Sequence, residues 1–158
     1  ASAKIPFVIR WPEKIAAELR IDRAMNTTDF MPTILSMMGA EHSGKEEGRD
    51  LTTVFQGGEA EGQDITFMRS TTKNRESTKG WIAAVTPRHK LILSSYEDAW
   101  LIDMEKDPDE VTNFIAETQQ AETINFLAHE LKAYAERHGD PLINDPHTGK
   151  ILEELVGT

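Results

Sequence analysis

Trp81-Ile82-Ala83-Ala84-Val85-Thr86-Pro87-Arg88-His89-Lys90-Leu91-Ile92-Leu93-Ser94 carries the information that decides the fold. Two strand-length apolar runs, 81–85 and 90–94, are separated by four residues that include a proline, which is the pattern of an antiparallel hairpin. Working outward, Ile65-Thr66-Phe67-Met68 reads as a strand before the hairpin. Ala99-Trp100-Leu101-Ile102-Asp103 reads as a fourth strand after it, ended by the turn Asp107-Pro108-Asp109. Close spacing and short turns predict a four-stranded antiparallel sheet. Beyond it, Ile124, Leu127, Leu131 and Tyr134 recur every three or four residues with Glu122, Glu130, Lys132 and Glu136 between them. That periodicity predicts a helix near 120–138 with one stripe on the sheet, stopped by Gly139. The polar, turn-rich tail from Asp140 is expected to run extended along the surface.

The segments before the sheet have a different texture. Ile5-Pro6-Phe7-Val8-Ile9-Arg10-Trp11 is apolar on both faces and closed by Pro12, as expected for a buried strand of a parallel or mixed sheet. Thr28 to Gly39 has the marks of a helix: Thr28 or Asp29 as cap, Pro32 in the first turn and Gly39 just past the end. Met31, Ile34, Leu35 and Met38 fall on one side of it, which predicts a buried face. A polar loop covers 41–50, and Leu51 to Phe55 reads as a short helical segment. Gly57-Gly58 places a boundary near 58–63. The expected fold class is α/β, with an α+β C-terminal part, and domains of 1–58 and 59–158.

Composition removes several functions. The 158 residues carry 17 Lys+Arg against 27 Asp+Glu, a formal net charge of -10. Such an acidic chain lacks the basic footprint that phosphate-backbone binding needs, so no nucleic-acid partner is expected. No window approaches the roughly 18 uninterrupted apolar residues of a membrane span. The absence of cysteine excludes disulfides, thiolate metal sites and a cysteine nucleophile. The first residue is not methionine, a strand-like run follows within four residues, and no signal peptide precedes it. That start is read as part of something longer.

No catalytic constellation is visible. His42, His89, His129, His138 and His147 have no metal-ligand spacing, and Ala133 stands where a His-Glu-x-x-His motif needs its second histidine. Gly44-Lys45 is not a phosphate-binding loop, and there is no Gly-x-Ser-x-Gly elbow. Asp103, Glu105, Asp107, Asp109 and Glu110 lack the glycine and terminal glutamate of a calcium loop; they read as a turn that caps the next helix. Asn26-Thr27-Thr28 is a formal glycosylation triplet of the kind that arises by chance. One charge feature runs against the acidic background: Arg69, Lys73, Arg75 and Lys79 in the polar loop 69–80. These cations either balance local acid in solvent or face an anionic ligand.

Five segments in order give the chain a family likeness. Ile5 to Pro12 with Lys14 and Ile15 resembles the strand that opens the last third of sulfatases. Asp29-Phe30-Met31-Pro32-Thr33-Ile34-Leu35 with Gly39 resembles a helix of that family. Gly48-Arg49-Asp50-Leu51 with Gly57, Pro87 to Ile92, and Trp100 to Glu110 with Asn113 are similar to three further sulfatase motifs. The matches cover about residues 4–138 and depart mildly at Lys4, where Arg is usual, and at His89, where an aromatic is usual. The resemblance implies the end of an alkaline-phosphatase-like α/β domain followed by a small four-stranded sheet packed on a long C-terminal helix. It implies a parent enzyme, periplasmic or extracellular, that hydrolyses sulfate esters, with sulfated carbohydrate as substrate. Its cofactors would be calcium, held by Asp and Asn side chains, and a formylglycine made from Cys or Ser in a C/S-x-P-S-R motif. No residue here matches the catalytic or metal motifs, so the segment is expected to bind no cofactor, to be inactive alone, and to partner the catalytic domain upstream. The small C-terminal subdomain lines the substrate cleft in that family, which makes Arg69, Lys73 and Arg75 candidates for the substrate rim. The alternatives are a phosphodiesterase or phosphonate hydrolase of the same superfamily, and a free-standing carbohydrate-binding or interaction module.

Overall fold

The computed structural model describes residues 5–41, 43–45, 47–59, 62–70 and 78–157. The chain divides into two compact units, Ala1–Asp64 and Ile65–Thr158.

In the second unit four strands, β1 (Thr66–Arg69), β2 (Trp81–Val85), β3 (His89–Ser94) and β4 (Trp100–Asp103), form one sheet in sequence order. Every pairing is antiparallel, as the spacing of the runs predicts. The register sets Phe67 opposite Ala84, Ile82 opposite Leu93, and Leu91 opposite Leu101. Partners in register share a face, so these side chains form one apolar layer. Helix α3 (Ala121–Arg137) covers that layer with Ile124, Leu127, Ala128, Leu131 and Ala135, all buried. Phe67 stacks on Tyr134 with ring centroids 4.2 Å apart. The outer edge of β4 is finished by a side chain: Asn113 Oδ1 accepts from Leu101 N at 3.0 Å, and Asn113 Nδ2 donates to Ala99 O at 3.0 Å. The edge of this short strand is thereby blunted without a fifth strand.

Two expectations fail in this unit. The turn at 107–112 is closed by Asp107, which accepts from Val111 N and Thr112 N, but the next helical residue is Thr118, so Asp107 caps no helix. The tail is also not extended. It forms a 3-10 turn, Pro141–Asn144, and an eleven-residue helix α4 (Pro146–Val156). Leu142, Thr148 and Leu152 are buried, and both leucines belong to the main core. Each tail element starts with an Asp-Pro pair in which the aspartate caps: Asp140 Oδ1 accepts from Leu142 N, and Asp145 Oδ1 from His147 N and Thr148 N. Proline at the first helical position needs no hydrogen-bond partner for its nitrogen, which makes these starts favourable. At the far end Asn125 Nδ2 donates to Leu155 O and Val156 O, closing the helix terminus onto α3.

The first unit contains α1 (Phe30–Met37), entered through a 3-10 turn at Thr27–Asp29, and the single turn α2 (Thr52–Phe55). Asp29 stands at the N-cap position of α1, as expected, but makes no side-chain cap bond there; the capping bonds lie one turn earlier, where Asn26 accepts from Thr28 N at 2.8 Å and Asp29 accepts from Asn26 N. Residues 5–11 form no strand: the described strands pair only with one another, and Ile5, Phe7 and Val8 are exposed. An extended run without a neighbour has no ladder for its N–H and C=O groups.

The face of α1 is also reversed relative to expectation. Met31, Ile34 and Met38 are exposed, whereas Pro32, Thr33 and Met37 are buried. Polar contacts decide the orientation. Thr33 Oγ1 donates to Asp29 O at 2.6 Å and accepts from Leu51 N at 3.0 Å, both buried. Turning that hydroxyl outward would strand Leu51 N without a partner. Gly48 permits the approach, because a Cβ there would lie 2.0 Å from Thr28 O.

Leu142→Ala tests the docked tail. Truncating this fully buried side chain should lower unfolding stability by about 2–5 kcal/mol in urea titration, whereas a leucine on an extended surface tail would cost under about 0.5 kcal/mol. Gly48→Ala should cost about 1–3 kcal/mol by overpacking.

Candidate functional site

Of the three rim candidates, Arg69 is described and Lys73 and Arg75 lie outside the described residues. Arg69 ends β1, and its Nε sits 2.5 Å from Asp140 Oδ2. At the other end of the connection, Lys79 Nζ donates to Asp145 Oδ2 at 2.6 Å. Asp145 is fully buried, and the Lys79 hydrogen bond, reinforced by the cap donors Thr148 N and His147 N, holds its carboxyl below the usual carboxylate range against the opposing effect of burial. Between these pairs the strand ends are closed by backbone and hydroxyl bonds. Ser70 N donates to Trp81 O, Trp81 N donates to Ser70 Oγ, and Gly80 N donates to Ser95 Oγ. The described basic side chains at the foot of the loop are thus engaged by the two aspartates that cap the tail. Sequence reasoning missed both acids, although two Asp-Pro starts within six residues, each followed by apolar positions, were a readable signal for capped helices.

A second charged network lies where β4 ends. Asp103 is completely buried and accepts from Arg88 Nε and Nη2, and from the backbone N–H groups of Glu105 and Lys106. Arg88 is the largest cause of a carboxyl pKa lowered to about 2. Arg88 also reaches Glu105 at 2.8 Å. His89 Nε2 stands 3.6 Å from Asp103 Oδ2, and burial, with Arg88 and Lys106 nearby, holds the imidazole pKa below its ordinary value despite that carboxylate. A carboxylate so strongly ionised and saturated with donors is a poor general base at neutral pH. Asp103 is therefore a structural hub. Two further acids of the 103–110 cluster are also engaged: Asp107 by backbone N–H groups, and Glu110 by Lys90 at 2.7 Å.

In the first unit Asp29 plays the same part. Burial raises its pKa, but Arg49, through side chain and backbone, and Asn26 N outweigh burial and leave it lowered. Arg49 Nη2 bonds Asp29 Oδ2 and Ala24 O, each at 2.8 Å. An open hollow of about 340 Å³ is lined by Asp22, Arg23, Val54, Glu59 and Asp64 among others, with Arg23 Nε 3.7 Å from Asp64. Its acidic walls disfavour an anion.

Among the described residues no three His, Asp or Glu side chains converge as metal ligands. His138 packs on Tyr134, and His147 Nε2 lies 3.1 Å from Glu97 O. The sequence contains no cysteine and no S-x-P-S-R, the chemistry a formylglycine starts from. The described residues offer no calcium site, and the sequence offers no motif from which a formylglycine is made. No described helix is long and apolar enough to cross a membrane.

Residues 1–137 match the family described as N-sulphoglucosamine sulphohydrolase, C-terminal. No match is found among curated proteins. Several solved structures share the fold. A sulfatase yidJ from Bacteroides fragilis is 24% identical with a TM-score of 0.61, over 73% of this chain and 26% of that one. A protein solved with its substrate D-glucosamine-2-N,6-O-disulfate is 24% identical, with a TM-score of 0.59 over 75% of this chain and 25% of that one. The phosphonate monoester hydrolase of Agrobacterium radiobacter is 24% identical, with a TM-score of 0.52 over 70% and 24%. The chain spans about a quarter of the length of each of these structures.

Because the Asp103 pKa is depressed from 3.8 to about 2, its contribution to stability is complete above about pH 4 and is lost as the pH falls toward 2. Asp103→Asn should destabilise the protein by about 1–3 kcal/mol at pH 7 and flatten stability between pH 4 and 2, read by urea melts across pH. An unchanged acid profile would remove Asp103 as the hub.

Proposed function

The chain belongs to the family of the C-terminal part of N-sulphoglucosamine sulphohydrolase, and from that premise we propose that it is the C-terminal region of a hydrolase of sulfate esters whose substrate is a sulfated carbohydrate. The match over residues 1–137 carries this reading. The substrate class draws on the family's description and on the neighbour held with a disulfated glucosamine.

In this reading the nucleophile and metal lie on the rest of the parent, which acts in the periplasm or outside the cell. Calcium and a formylglycine in that parent are part of the proposal. Residues 1–58 would complete the large α/β domain, and 59–158 would form the subdomain beside the cleft. The surface of the first unit supports a large neighbour: Ile5, Phe7, Val8, Met31, Ile34 and Met38 are all exposed, with Met38 at 74% and Val8 at 91%. Apolar side chains grouped on a segment and a helix of one small unit mark a surface awaiting cover. An upstream catalytic domain is the occupant proposed here. Residues 5–11 would gain in that domain the ladder partner they lack here.

The rim role of Arg69, Lys73 and Arg75 is likewise a proposal. Arg69 is partly committed to Asp140, so Lys73 and Arg75 are the better probes of direct contact.

The parent protein should release sulfate from sulfated glucosamine, and the 158-residue chain alone should release none. Turnover by the isolated chain would overturn the location of the active site, and a parent active on phosphonate monoesters but not on sulfate esters would favour the other branch of the superfamily. In the parent, Lys73→Gln with Arg75→Gln should raise KM for a sulfated oligosaccharide about 3- to 10-fold with kcat little changed, the scale of two exposed charge contacts. An unchanged KM would remove the rim role.

A further inference from the structure

The matched family region ends at residue 137, and the tail that follows carries two buried carboxylates aimed at one loop. Asp140 takes Arg69 at the end of β1, and Asp145 takes Lys79 two residues before β2. Each acid does two jobs with separate oxygens. Oδ1 caps its own element, accepting from Leu142 N in one case and from His147 N and Thr148 N in the other. Oδ2 holds the cation. The tail is itself fixed at both ends, by Leu142 and Leu152 in the core and by Asn125 at the terminus of α4. Two cations ten residues apart in sequence are therefore tied to one rigid element rather than left to solvent.

We infer that Asp140 and Asp145 are positioning residues: the 140–156 tail is a brace that sets where the two feet of the β1–β2 connection stand. The consequence for catalysis rests on the rim reading above, because the connection carries Lys73 and Arg75. If those residues meet the substrate, the brace determines how well they are placed, and it acts on substrate binding rather than on the chemical step. In each pair the acid is buried and the cation reaches it from the surface, with the Arg69 side chain 23% and the Lys79 side chain 52% exposed, so the pairs fix position from the covered side. Asp145 is also the more committed of the two acids, with three donors on its two oxygens.

Asparagine separates the two jobs, since it caps as well as aspartate but carries no charge for the cation. The experiment uses the full parent protein with Asp140→Asn, Asp145→Asn and the double variant, read by amide hydrogen exchange and by steady-state kinetics. Exchange at Ser70 and Trp81 should rise about fivefold or more while α3 is unchanged. KM for a sulfated oligosaccharide should rise about 3- to 10-fold, with kcat within about twofold. Lys79→Arg should keep wild-type values, and Lys79→Gln should reproduce Asp145→Asn. Unchanged exchange at Ser70 and Trp81 in the double variant would overturn the brace, as would an equal rise across α3, which would make the acids general stabilisers. Raised local exchange with an unchanged KM would leave the brace standing and count against the rim reading alone.

Discussion

The seating of α3 on the sheet is the constraint on which the second unit depends. Ala128 and Ala135 are wholly buried on the same stripe as the larger Leu127 and Leu131. Small residues on the inner stripe bring the helix axis close to Ile82, Ala84, Leu91 and Leu93, and larger ones there would push it off the layer. With that distance set, Phe67 can stack on Tyr134, Asn125 can reach the end of α4, and the tail can complete the core with Leu142 and Leu152. The register of four short strands and the placement of two helices follow from one close-packed face.

Around this apolar arrangement the chain handles its acidic excess in a consistent way. Asp29, Asp103, Asp140 and Asp145 are each buried, and each sits where one element gives way to the next. Each has a basic partner: Arg49, Arg88, Arg69 and Lys79. Burying a carboxylate is tolerable only when its oxygens are filled by donors, and free backbone N–H groups are found at element ends. The same acids that cap or close a turn thus recruit distant cations and tie remote parts of the chain together. What looks in the sequence like a scatter of charge is a set of joints.

Much of the second unit was legible because its strands carry their own partners in sequence. The 81–94 hairpin needs only itself to declare its pairing, and the α3 stripe declares a face by period alone. Residues 5–11 show the limit of that logic: an apolar run describes a surface, and a strand exists only where another strand answers it. The α1 face failed for a related reason. Met31, Ile34 and Met38 have the right spacing for a buried stripe, but Thr33 and its bonds to Asp29 and Leu51 decided which side turned inward, and no hydropathy pattern records a hydroxyl's partner. The tail was missed because its exposed residues dominate its composition, although the two Asp-Pro starts were present to be read. For the candidate site, the sequence located the basic loop but could not show that Arg69 and Lys79 are held by acids some seventy residues away.

The two units also differ in how much of their stability is their own. The second encloses a continuous core from Ile65 to Leu152, whereas the first gathers Met37, Leu51 and Phe55 while leaving most of an apolar helix face in water. Opening of such a lightly held part costs less than global unfolding. Without the proposed upstream domain to cover it, the first unit is therefore where a protease would find early cuts and where unwanted self-association would start.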